Sequence, residues 1–159
     1  IYYNHYRTGR PSPYGRYDIL HATRYLDAPN EPLYPFGYGL SYTDFTYSGI
    51  ELSSNSMECG GEITASVTIT NAGKYKAKET VQLYIRDVAG SFVRPVKELK
   101  GFEKIELDVG ESKKIAFTIT EEMLAFYGAG MRRNAEKGKF HVFIGKDSDV
   151  ETYQEFELL

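Results

Sequence analysis

The chain has 159 residues, of which 42% are hydrophobic and 26% charged, with a formal net charge of −3. That balance excludes a mostly disordered chain and gives no electrostatic reason to bind nucleic acid or an anionic membrane. One cysteine, Cys59, excludes an internal disulfide framework and a Cys-rich zinc site.

Composition changes along the chain. Ten of the 14 tyrosines lie at or before Tyr47, and five of the 6 prolines at or before Pro35. All 11 lysines lie at or after Lys74, and tryptophan is absent. The chain therefore reads as two parts, residues 1–43 and 44–159. Residues 1–3 (Ile-Tyr-Tyr) read as a strand already under way, so a fragment of a longer protein is expected. No charged start with a following apolar stretch is present, and no apolar run of about 18 residues that would span a membrane.

Residues 4–43 hold no sustained period. Pro11, Pro13, Pro29, Pro32 and Pro35 block regular helix and central strand. Tyr6, Tyr14, Tyr17, Tyr25, Tyr34, Phe36, Tyr38 and Tyr42 offer too much apolar area for a solvated linker. The expectation is an extended connector packed along a surface. Residues 7–28 are the part expected to be mobile or borrowed by a neighbour. At residues 34–42, Gly37 and Gly39 supply turn positions with free φ, Pro35 fixes the entry, and Phe36 and Leu40 read as core anchors. Tyr34, Pro35, Phe36, Gly37, Gly39 and Leu40 together form the expected structural junction.

From Asp44 onward the dominant period is two, the mark of half-buried strands. Phe45, Tyr47, Ile50 and Leu52 alternate with a slip at Gly49, which reads as a bulge. Ile63, Ala65, Val67 and Ile69 face inward, with threonines and serine on the other face. Asn71–Lys74 reads as a turn in which Gly73 supplies positive φ. Val81, Leu83 and Ile85 continue the inward set, followed by Ile115, Phe117 and Ile119, then Phe140, Val142 and Ile144, then Phe156 and Leu158. Residues 96–107 alternate weakly around Gly101, which is expected to let Phe102 turn inward. Helical signal is confined to residues 121–127, with Thr120 as a candidate N-cap. About seven strands at this spacing predict an all-β, immunoglobulin-like or fibronectin type III-like antiparallel β-sandwich with an extended N-terminal connector. A small barrel is the alternative.

Several strings carry a resemblance. Tyr34-Pro35-Phe36-Gly37-Tyr38-Gly39-Leu40-Ser41-Tyr42, preceded by Arg24-Tyr25-Leu26-Asp27 and Pro32-Leu33, resembles the junction of glycoside hydrolase family 3 β-glucosidases. In that family it lies between an α/β domain and a C-terminal fibronectin type III-like domain. Asn4-His5 and Thr8-Gly9-Arg10-Pro11 are similar to a stretch near the end of that α/β domain. Tyr84-Ile85-Arg86-Asp87, Arg94 through Phe102 with Gly110-Glu111, and Gly138-Lys139-Phe140 through Ile144-Gly145 resemble the family's later motifs. The likeness runs to the bacterial periplasmic type; β-xylosidases share the module.

The resemblance implies an accessory role. The family's nucleophilic Asp and acid/base Glu would both lie before Ile1, and the Ser-Asp-Trp string of its nucleophile region has no counterpart here. No catalytic, substrate-binding or metal-ligating residue and no cofactor is expected in this chain. The implied partners are the upstream catalytic barrel and α/β domains of the same parent chain, with room for a homodimer, and no nucleic acid or membrane. The implied location is periplasmic or secreted. A free-standing carbohydrate-binding or adhesion module of fibronectin type III type is the alternative function. Among other candidates, His5 reads as a structural hydrogen-bonding residue, His141 as an outward strand residue, Asp87 as a turn cap or cation ligand, and Cys59 as a turn thiol.

Overall fold

The computed structural model describes residues 32–159. The expected strand at residues 1–3, the motif residues Asn4, His5 and Arg24–Asp27, and the course of residues 7–28 lie outside the described residues.

In chain order the elements are β1 (Phe45–Tyr47), β2 (Glu51–Leu52), β3 (Ser56–Met57), β4 (Glu62–Asn71), β5 (Ala77–Asp87), β6 (Glu98–Leu107), β7 (Ser112–Thr120), α1 (Glu121–Leu124), β8 (Phe126–Tyr127), β9 (Arg133–Asn134), β10 (Gly138–Gly145) and β11 (Tyr153–Leu158). One sheet centres on β4, with β1 and β2 along one side and β7 along the other, all antiparallel. The second sheet runs β3-β11-β10-β5-β6 and is antiparallel except for β3 against β11. The hairpin β8–β9 stands apart from both. The expected sandwich is present. The strands beyond the seven expected are the two-residue β3, β8 and β9, and the division of residues 45–52 into β1 and β2.

The inward positions fold as their alternation dictates. Ile63, Ala65, Val67 and Ile69 of β4 are buried against Val81, Leu83 and Ile85 of β5 and Phe140, Val142 and Ile144 of β10. Ile115 and Ile119 of β7 and Phe156 and Leu158 of β11 complete the core, and Phe140 stacks on Phe156 at 5.5 Å. The slip near Gly49 is a bulge. Tyr47 pairs with Ile69 and Glu51 with Ser66, so four steps on one strand answer three on the other. The Ser48 hydroxyl accepts the Thr68 N–H at 2.9 Å across the gap.

One local expectation is corrected. Phe102 does not turn inward; it is 68% exposed. The β5–β6 register shifts between Leu83 and Tyr84, and a Cβ at Gly101 would lie 3.4 Å from the Phe117 ring. Gly101 itself thus faces the core, and strand alternation sends Phe102 to the outer face. Helix α1 is a single turn, because residues 126–127 pair with β9 instead. Thr120 occupies the N-cap position but makes no side-chain cap bond; Glu121 and Glu122 place negative charge in the first turn.

Candidate functional site

On β5, residues 82 and 84 alternate away from the core side chains 81, 83 and 85, so both should meet water. Yet Gln82 is 5% exposed and Tyr84 1%. Their cover is the connector. Residues 35–38 form a turn closed by the Tyr38 N–H donating to the Pro35 carbonyl at 3.1 Å. Gly37 sits in it at φ +80°, the third position of a type II turn, which disfavours any side chain.

The turn is held by its backbone. The Ser148 N–H donates to the Phe36 carbonyl at 2.9 Å, and the Tyr84 hydroxyl lies 3.4 Å from the same oxygen. Gln82 Nε2 donates to the Gly37 carbonyl at 3.0 Å and also to the Lys146 carbonyl. The Tyr84 hydroxyl donates to Gln82 Oε1 at 2.6 Å, which fixes the amide. Burial pushes the Tyr84 hydroxyl well above the usual phenol range, with nearby Asp147 adding to the shift, so it stays protonated as a donor. A Cβ on Gly37 would fall 2.1 Å from Gln82 Oε1 and 2.7 Å from the Tyr84 oxygen.

A second tie holds the connector where it enters β1. Fully buried Asn71 accepts from the Thr43 hydroxyl at 2.9 Å and from the Gly73 N–H at 3.2 Å. Its Nδ2 donates to the carbonyls of Tyr75 at 2.8 Å and Leu107 at 3.1 Å. The Ala72 N–H donates to the Asp44 carbonyl at 2.8 Å. Gly73 is not at positive φ, contrary to the sequence reading. It is small because Thr43 lies against it: a Cβ would meet Thr43 Oγ1 at 2.0 Å.

The expected junction residues divide. Gly37 and half-buried Pro35 build the turn, and the Tyr34 and Tyr38 rings meet at 4.9 Å. Phe36 and Leu40 are not core anchors: they are 53% and 89% exposed. The sheet grips the Phe36 carbonyl and leaves its ring outside. Gly39 is outside the positive-φ set, and a Cβ there meets nothing within 4 Å. Full burial of Phe36 would make Phe36→Ala cost about 3–5 kcal/mol. With the ring exposed, we expect less than about 1 kcal/mol in thermal unfolding of this chain. Gln82, Tyr84, Asn71 and Ser148 were not marked by the sequence reading as part of the junction. The available signal was a bulky Tyr beside a Gln on the outward face of an otherwise apolar strand.

Between the turn and the outer faces of β5 and β6 lies an open groove of about 710 Å³. Phe36, Leu40 and Phe102 line it, with Lys78, Lys104 and Lys146 at its edge. Glu79 also lines it and accepts the Tyr47 hydroxyl at 2.6 Å. Burial and the Glu79 carboxylate push the Tyr47 hydroxyl far up. Burial raises Glu79 as well, against the lowering effect of the Tyr47 bond and of Lys146. A carboxyl raised in the fold opposes folding increasingly as pH climbs from its unfolded value through its folded one. Glu79→Gln keeps the acceptor and removes the charge. It should therefore stabilise at pH 7 by about 0.5 kcal/mol, small because water screens the site. In urea titrations that gain should vanish as pH falls below the reference value of 4.5.

Other charged groups brace loops. Asp87 Oδ1 accepts the Ala89 N–H at 3.1 Å, so Asp87 caps a turn, and burial lifts its carboxyl. Arg94 pairs with Glu98 at 2.9 Å and lies 4.2 Å over the Phe126 ring. Lys97 donates to the Ser148 carbonyl at 3.0 Å and lies over the Phe143 ring, steadying the loop that supplies the Ser148 N–H. His141 does lie on the outward face, but it is covered. It stacks on Tyr153 at 4.0 Å, with Nε2 3.2 Å from Glu155. Cys59 is exposed, its thiol 3.1 Å from the Leu159 carbonyl. Among the described residues no group of His, Cys, Asp and Glu is placed to hold a metal ion.

What the arrangement can do is hold an incoming segment by its backbone and present that segment's aromatics outward. Residues 79–148 match the family model of the fibronectin type III-like domain. A periplasmic β-glucosidase of Salmonella typhimurium is 50% identical over 159 residues, all of this chain and 21% of that protein. A putative β-xylosidase of Formosa agariphila is 54% identical over 138 residues, 87% of this chain and 18% of its own length. The crystal structure of a β-glucosidase from Listeria innocua in complex with gluconolactone superposes with a TM-score of 0.85 at 42% identity, covering 99% of this chain and 22% of that one.

The sandwich is a fibronectin type III-like domain. Over its whole length the chain is similar to one portion of the Salmonella β-glucosidase, and over 87% of it to one portion of the β-xylosidase. It spans about a fifth of the length of the curated relatives it matches.

Proposed function

We propose that this chain is the C-terminal, non-catalytic accessory domain of a β-glucosidase whose full-length form hydrolyses terminal non-reducing β-D-glucosyl residues. The domain begins near residue 44, and residues 1–43 join it to the catalytic barrel and α/β domains. Its work is mechanical: it holds the connector in one course and so steadies the domains upstream. One observation carries this. The connector turn is clamped by the carbonyls of Phe36 and Gly37, while the aromatic side chains it carries stay exposed. A free adhesion linker has no use for either feature. Several carboxylates are engaged in structure, as Glu98 with Arg94 and Lys100, Glu51 with Lys114, and Glu155 with Lys139. A retaining glycosidase needs instead two carboxylates facing one substrate bond.

The periplasmic β-glucosidase among the relatives supports a periplasmic or secreted location. No helix among the described residues is long and apolar enough to cross a membrane. The test is hydrolysis of an aryl β-glucoside. The full-length protein should turn it over and the purified 159-residue chain should not. Turnover by the chain alone, or none by the full-length protein, overturns the reading.

A further inference from the structure

Lys74 and Lys137 make no ion pair among the described residues, while five other lysines are matched. Lys76 lies 3.2 Å from Asp108, Lys100 2.7 Å from Glu98, Lys113 3.6 Å from Glu103, Lys114 2.6 Å from Glu51 and Lys139 2.8 Å from Glu155. Lys78, Lys104 and Lys146 make no such ion pair among the described residues, and all three edge the 710 Å³ groove. Two carboxylates line the same groove. Glu79 is tied to the Tyr47 hydroxyl, and Asp44 stands at the connector's end. Phe36, Leu40 and Phe102 line the same groove, exposed by 53%, 89% and 68%.

A contiguous apolar surface with a polar rim marks an interaction face. Lys78 and Lys104 make no ion pair among the described residues, and Lys146 acts only on Glu79, so the groove's positive charge selects an occupant of opposite sign. It also argues against a neutral glucan, which offers nothing to three ammonium groups. About four-fifths of the relatives' length lies outside this chain, which is ample to supply a cover, and the connector runs along the groove itself.

We propose that this groove docks an apolar ridge edged with Asp and Glu on the preceding catalytic portion of the full-length protein. The proposal rests on the accessory-domain reading and names the face and the charge through which the domain makes contact. Phe102 enters the ridge's apolar contact, and the three lysines meet its carboxylates. Phe36 and Leu40 stay exposed in the domain because their cover comes from the partner.

Lysine acylation footprinting of the full-length protein against the 159-residue chain tests this. Lys78, Lys104 and Lys146 should react about tenfold more slowly in the full-length protein, the factor that 1.4 kcal/mol of docking gives. Lys137, which lies just before β10, at the opposite end from Lys146, should react equally in both. Phe102→Glu in the full-length protein should restore the three rates, while the chain carrying that exposed substitution keeps its melting temperature. Equal rates for the groove lysines in both forms overturn the proposal. Protection in the isolated chain that grows with concentration assigns the groove to a second copy and also overturns it. Protection in a full-length protein that lacks β-glucosidase activity sustains the docking and removes the enzymatic reading. Activity without protection does the reverse.

Discussion

Asn71→Ala should lower the stability of the chain by about 3 kcal/mol, because the buried Leu107 carbonyl and the part-buried Tyr75 carbonyl both lose their donor. Asn71 is the fully buried hub between the connector and the β4–β5 turn. Its amide is the donor to the Leu107 carbonyl from within the core, and its oxygen receives Thr43 and Gly73. For a domain of this size such a loss moves the melting temperature by roughly 10 °C. Asn71→Asp separates the two halves of the role. It keeps the acceptor, removes the donor and buries an acid. Its folded pKa must then rise, so its destabilisation should grow as pH climbs above the usual carboxylate range.

The second large effect is at Gly37. Alanine there takes a left-handed backbone at about 1–2 kcal/mol. It also drives a methyl group into the Gln82 and Tyr84 side chains that clamp the turn. Those side chains cannot withdraw, since each is fixed by the other and Gln82 also by the Lys146 carbonyl. We expect the turn to leave its seat while the sandwich stays folded, because no core contact is touched. Thermal unfolding should then show a loss of about 3 kcal/mol or less, bounded by what the seat contributes. Gly39→Ala is the matched control: its Cβ meets open space, and no change beyond about 0.5 kcal/mol is expected.

Much of the fold was legible because alternation is a local property. Ile63 through Ile69 and Val81 through Ile85 declared their inward faces without reference to anything distant. The junction string was legible as motif, and Gly37 proved to be its demanding glycine. What failed were inferences about cover. Phe36 and Leu40 look like core by chemistry, but exposure depends on which surface lies opposite. Gln82 and Tyr84 look solvent-facing by parity, but a segment more than 40 residues earlier lies on them. Phe102 went astray because Gly101 faces the core, so the next residue faces out. Asn71 read as a turn residue because its four side-chain partners lie at Thr43, Gly73, Tyr75 and Leu107, a convergence only the folded chain creates.

The charged motif residues show the same limit. Arg94 through Phe102 identified a kind of protein before any role for its parts was known. In the fold, Arg94 covers Phe126, Lys97 steadies the loop at Ser148, and Phe102 stands free at the groove. Lys97 thereby helps seat the connector, and Phe102 lines the groove beside it.

The central claim is that the outer face of β5 grips the connector by its backbone. The Ser148 amide reports it, because its hydrogen bond ends on the Phe36 carbonyl. Amide hydrogen exchange of the 159-residue chain should find Ser148 protected, and find that protection lost in Gly37→Ala while the amides of β4 and β10 keep theirs. Exchange of Ser148 at the rate of an open loop in the unsubstituted chain would contradict the account.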